Sequence, residues 1–150
     1  MTSTMRHPSL LIVDDDPAMV RLLASFVSDE FENELDVSTL TEAIDACEQI
    51  ELGGVDILLT DLEMPNMNGL ELLRNAKRRN AFTQVIFLTG HSTQEAILDA
   101  LENGATDYLL KPVDRQQLIA RVREALDRVT RWRHALGETW RQRRKAMQRA

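Results

Sequence analysis

Short aliphatic runs that each end abruptly in a polar residue, separated by stretches with helical periodicity, constrain this chain more than any other feature. Ser9 to Val13 (SLLIV) runs into Asp14, Asp15 and Asp16, and Ile57, Leu58 and Leu59 run into Asp61. Val85 to Leu88 (VIFL) ends at Thr89-Gly90, and Asp107 to Leu110 (DYLL) ends at Lys111-Pro112. A weaker run lies at Leu35 to Ser38. Continuous apolar runs of this length are expected of parallel strands covered on both faces. Between them, Val20, Leu23, Ala24 and Val27 have the i, i+3, i+4, i+7 spacing of a helix that Asp16 and Pro17 open. Thr39 with Glu42, and Ser92 with Glu95, have capping-box spacing. The first pair predicts a helix to about Ile50 ended by Gly53-Gly54. The second predicts one stopped by Asn103-Gly104, with Ala96, Ile97, Ala100 and Leu101 facing inward. A helix over 69–79 and a last one opened by Asp114 with Gln117 complete five strands alternating with five helices, a doubly wound parallel α/β sheet.

Right-handed crossovers bring the carboxyl ends of all such strands to one edge, where open α/β sheets hold their ligands. Asp14, Asp15, Asp61, Thr89 and Lys111 are therefore expected in one pocket. Three carboxylates repel one another unless a cation joins them. Oxygen-only ligands suit Mg²⁺, which leaves coordination positions for water and phosphate oxygens. A lysine and a hydroxyl beside them are what a phosphoryl group needs. This predicts a Mg²⁺-dependent phosphoryl site with a carboxylate nucleophile. The chain has no G-x-x-x-x-G-K and no G-x-G-x-x-G, so a nucleotide site has no support.

The ordered set LLIVDDDP, LLTDLEMPNMNGLELL, VIFLTGH and GATDYLLKPV resembles the receiver domain of bacterial two-component response regulators. The resemblance covers residues 8–128 and implies a flavodoxin-like sheet in the order 2-1-3-4-5. It makes Asp61 the phosphoacceptor for a sensor histidine kinase or phosphotransfer protein. It further implies Mg²⁺ on Asp15, Asp61 and the backbone carbonyl of Glu63, with Asp14 acting through water. Lys111 would pair with Asp61 and then with its phosphate, ahead of a cis bond to Pro112. Thr89 would hold the phosphoryl group, and Tyr108 would swing inward as Thr89 moves, reshaping the surface of the fourth helix, fifth strand and fifth helix. His91 and Glu63 sit where the family tunes phosphate lifetime. The domain would be a signalling phosphoacceptor, catalysing only its own phosphorylation and dephosphorylation.

Asp14 and Asp16 also spell D-x-D after a strand, similar to haloacid-dehalogenase-type Mg²⁺-dependent phosphatases, in which Asp14 would be the nucleophile. That pattern wants Thr or Val where this chain has Ala18, and leaves DLEMPNMNG unexplained.

Charge separates the body from the tail. Residues 1–130 hold 11 Lys/Arg against 23 Asp/Glu, and residues 131–150 hold 7 against 1. The body is not expected to bind nucleic acid, whereas the tail has the charge to touch something acidic. Leu118, Val122, Ala125, Val129, Trp132 and Leu136 continue a 4-3-4-3-4 seam past the receiver, so residues 129–150 read as a basic helical extension. It is expected to pair with a second copy or lead to an output domain, the alternative being Trp132 packed back on its own domain. The basic run lacks a reading module, and direct DNA binding is not expected. Cys47 is alone, which fits a reducing cytoplasm, and no signal peptide or membrane span is read.

Overall fold

The computed structural model describes residues 6–90 and 93–149, with 139–141 and 149 described by backbone alone. In chain order the elements are β1 (Ser9–Val13), α1 (Pro17–Glu30), β2 (Asp36–Leu40), α2 (Ala43–Leu52), β3 (Ile57–Asp61) and α3 (Gly69–Arg79). They continue with β4 (Gln84–Thr89), α4 (Gln94–Glu102), β5 (Asp107–Leu110) and α5 (Arg115–Arg149). The five strands are parallel in the order β2-β1-β3-β4-β5.

The apolar runs are continuous because alternate residues feed two cores. Leu10, Ile12, Ile57, Leu59, Ile86 and Leu88 pack with Leu23 and Val27 of α1 and Leu118, Val122 and Ala125 of α5. Leu11, Val13, Leu58, Val85 and Phe87 pack with Ala46, Ile50, Leu72, Leu73 and Ala76 of α2 and α3 on the other face. Each fully buried aliphatic side chain contributes about 1.5–3 kcal/mol, so the three central strands dominate.

The edge strand β5 has its expected bounds, whereas β2 departs from the expected Leu35 to Ser38. β2 begins at Asp36 and runs through Leu40, in register with all of β1 from Ser9↔Asp36 to Val13↔Leu40. Thr39 is therefore a strand residue and caps nothing. The N-cap of α2 is Glu42, which makes no side-chain cap hydrogen bond, so the expected capping box is absent. At α4 the cap is Thr93, whose hydroxyl accepts from the Ala96 N–H at 3.1 Å. Ser92 and His91 lie outside the described residues. Leu101 is 65% exposed rather than inward. α4 sits toward the β5 edge, and only Ala100 of this helix is buried.

α5 is one helix across the expected domain limit. Leu118, Val122, Ala125, Leu126 and Val129 are buried, while Trp132 is 49% exposed and stacks on Phe82 with ring centroids 5.1 Å apart. Trp132 thus partly follows the packing-back alternative, and Leu136 and Met147 beyond it are exposed. No helix among the described residues is long and apolar enough to cross a membrane.

Candidate functional site

Parallel registry sets the site. Val13 pairs with Thr60, Asp61 with Leu88, and Thr89 with Leu110. Asp14 follows β1, Asp61 and Thr89 end β3 and β4, and Lys111 follows β5, so the strands deliver these residues to one edge of the sheet. Lys111 Nζ lies 2.9 Å from Asp14 Oδ2 and 3.1 Å from Asp61 Oδ2, joining carboxylates from two strands with one ammonium. Asp14 is 0% exposed, and its Oδ1 accepts from the Asp16 N–H at 3.0 Å. Asp61 Oδ1 accepts from the Glu63 N–H at 3.2 Å. Asp15 is exposed, and each of Asp14, Asp15 and Asp61 offers an oxygen within 4.8 Å of the others.

The electrostatics carry a surplus of negative charge. Partial loss of water around Asp15 pushes its carboxyl above the ordinary range, and the charge and hydrogen bonding of Asp14 and the charge of Asp61 push it the same way. Burial pulls the Lys111 ammonium down, but the hydrogen bonds to Asp14 and Asp61 outweigh it and leave its pKa raised. One ammonium against three clustered carboxylates leaves a deficit of positive charge that a divalent cation with oxygen preference would remove. The donor set, all carboxylate oxygen with no His or Cys, fits Mg²⁺.

The loop after β3 is built to hold Asp61 in place. Leu62 N–H donates to Leu88 O at 3.0 Å, and Gly69 N–H donates back to Leu62 O at 2.8 Å. Asn68 caps α3 by accepting from the Glu71 N–H at 3.0 Å. A Cβ on Gly69 would lie 2.5 Å from Asp61 O, 2.8 Å from Phe87 Cε1 and 3.0 Å from Leu62 Cα. Gly69 is thus a site-shaping residue that the sequence marks only as a helix start. Its Asn-Gly context signals a turn, whereas the contact with Asp61 is tertiary. The Lys111–Pro112 bond is cis, as the resemblance implies.

Thr89 is buried at the end of β4. It lines a cavity of about 230 Å³ between β4, β5 and α4, together with Phe87, Ile97, Leu101 and Tyr108. The Tyr108 side chain is half exposed at this cavity. Asp16 does not join the acidic cluster; it caps α1, accepting from the Ala18 N–H at 3.0 Å. Cys47, on α2, meets α3 where Asn75 Nδ2 donates to its sulfur at 3.0 Å, and burial pushes its thiol up.

The family model described as the response regulator receiver domain matches residues 10–123. The transcriptional regulatory protein TrcR of Mycobacterium tuberculosis is 32% identical over 119 residues, covering 79% of this chain and 45% of TrcR. The DNA-binding transcriptional regulator NtrC of Escherichia coli is 33% identical over 122 residues, covering 81% of this chain and 25% of NtrC. The chain spans about half or less of the length of these curated relatives. Among solved structures, the signal receiver domain of a putative Luxo repressor protein from Vibrio parahaemolyticus has a TM-score of 0.79 at 26% identity, covering 87% of this chain and 98% of that one. A CheY-like receiver domain protein from Methanospirillum hungatei has a TM-score of 0.77 at 28% identity, covering 84% and 98%.

Proposed function

The chain belongs to the receiver domain family of two-component response regulators, and on that premise we propose that it is a phosphoacceptor in which Asp61 takes a phosphoryl group from a sensor histidine kinase or phosphotransfer protein. The observation that carries this reading is the Lys111 ammonium held between Asp14 and Asp61 at the carboxyl edge of the sheet. Asp61 is a carboxylate already, so no base is needed to activate it. Its oxygen attacks the phosphorus, a P–O bond forms as the P–N bond of the donor imidazole breaks, and the electron pair leaves on that nitrogen. Lys111 keeps Asp61 oriented beforehand and afterwards has its ammonium beside the new phosphoryl oxygens. Thr89 supplies a hydroxyl from the next strand.

Mg²⁺ on Asp14, Asp15, Asp61 and the Glu63 carbonyl would supply the positive charge that offsets the crowded oxygens. Asp14, paired with Lys111, would meet the metal through water, and Asp15 would release its raised proton affinity on binding it. Tyr108 and Thr89 share one cavity, which supports a switch in which Tyr108 moves inward and the surface of α4, β5 and α5 changes. The receiver would occupy residues 8–128. The basic extension from 129 would lead to an output domain or pair with a second copy, in keeping with relatives that are longer than this chain.

The phosphatase alternative draws no support from the geometry. A nucleophilic Asp14 would have to reach substrate, yet its side chain has no exposed surface, whereas that of Asp61 keeps some.

The test is intact mass of wild type and Asp61→Asn after incubation with a small acyl-phosphate donor, with and without Mg²⁺. One phosphoryl group added to wild type only in Mg²⁺, and none to the variant, is expected. An adduct of equal yield on the variant refutes Asp61 as acceptor.

A further inference from the structure

α5 leaves its own core after Val129 but remains helical to Arg149. Most helical stability in a protein comes from tertiary packing rather than from propensity, so contacts beyond the core have to hold this polar stretch if it is to keep a direction. Two side chains in the turn after Val129 make such contacts. Arg133 Nη2 lies 2.9 Å from Asp56 Oδ2, and Arg133 Nη1 donates to the Arg6 carbonyl at 2.8 Å. The Asp56 carboxylate is mostly buried and also accepts from the Ser9 N–H at 2.9 Å. Trp132 stacks on Phe82, tilted by 31°.

These partners share one location. Ser9 opens β1, Asp56 directly precedes β3, and Phe82 lies in the turn before β4, so all three stand at the amino edge of the sheet, opposite Asp61. The seam that the sequence continues past Val129 is therefore met by a tertiary attachment before it reaches solvent.

We propose that Arg133 and Trp132 latch the extension to the amino edge of the sheet, so that any segment joined to or docked on residues beyond 134 is carried as a rigid lever of the receiver. The latch removes the hinge that would otherwise form where the helix quits the core. It also ties the lever to β3, the strand whose last residue is Asp61, rather than to the α4 edge. This inference is independent of whether Asp61 is phosphorylated.

Amide hydrogen exchange on the full chain tests it, read at residues 134–138. In wild type these amides are expected to be protected. Arg133→Ala should lower their protection about tenfold, as expected for losing a charge-assisted two-donor contact. Trp132→Ala should act in the same direction, and Arg133→Lys should restore part of the loss. The sign is diagnostic because Ala is the best helix former. A helix standing by itself would keep or gain protection when Arg133 becomes Ala. Unchanged or increased protection in Arg133→Ala, no protection past Val129 in wild type, or an equal fall in the β3 and β4 amides would each overturn the latch.

Discussion

Replacing Lys111 with Met removes a charge while keeping most of the volume of the side chain, and the structure sets the sign of the result. In wild type the ammonium neutralises Asp14, which has no exposed surface, and simultaneously holds Asp61, which is nearly buried. Without it, two carboxylates stay close together with the Asp15 carboxylate beside them and no cation. Breaking a buried pair by removing one partner costs about 3–5 kcal/mol. Lys111 itself is partly exposed, so water recovers some of that cost, and a loss of about 2–3 kcal/mol is expected. With a urea m-value of about 2 kcal/mol/M, the midpoint should fall by about 1–1.5 M. The assay is urea unfolding without Mg²⁺, repeated at saturating Mg²⁺. Because a divalent cation would take over the neutralising role, Mg²⁺ should stabilise the variant more than wild type. Asp61→Asn, which removes a like charge and leaves the pair between Lys111 and Asp14, should cost little or stabilise. A Lys111→Met variant as stable as wild type, or one indifferent to Mg²⁺, refutes the charge deficit on which the site is argued. The wild-type contribution has a pH window. Lys111 is raised in the folded state, so its stabilisation is complete below the ordinary lysine pKa and is lost as pH rises through the folded value.

Two further outcomes follow from particular contacts. Gly69→Ala would bring a Cβ against the Asp61 carbonyl and the Phe87 ring, where overpacking costs about 1–3 kcal/mol and exceeds the gain in helix propensity. Urea midpoints and acyl-phosphate labelling rates should both fall, and a stabilised variant with wild-type labelling would refute the close approach. Glu34 meets Arg123 through two hydrogen bonds of 2.7 and 3.0 Å, which hold its carboxyl below the usual range, with Arg123 stacked over Phe31. Its contribution is present above the unfolded Glu pKa and lost as pH falls through the lowered folded value, so Glu34→Gln should flatten the acid limb of stability. An unchanged acid limb in that variant would show the pair to be silent.

The sequence by itself declares the three central strands and the residues at their ends, since a strand buried on both faces admits little but aliphatic residues. The same constraint makes an Asp, Thr or Lys at the end of such a run conspicuous, and parallel topology then requires that they meet. The edge strand β2 is less legible: it is mostly exposed, so no continuous apolar run marks it, and the Thr39/Glu42 spacing that spans its end looks like a capping box although Thr39 pairs within the strand. Leu101 keeps helical periodicity yet lies open, because periodicity names a face without saying what covers it.

Only the tertiary structure decided that Asp14 is buried while its neighbour Asp15 is exposed, and that Lys111 bridges Asp14 and Asp61 together. It alone placed Gly69 against the Asp61 backbone and Arg133 on Asp56, contacts spanning 8 and 77 positions of sequence. Local patterns are written by the burial of each residue in its own element, and the sequence carries those plainly. Parallel topology brings the strand ends to one edge, but which atoms pair there, and what loops and helix ends touch, depend on how the layers close, and no local pattern records them.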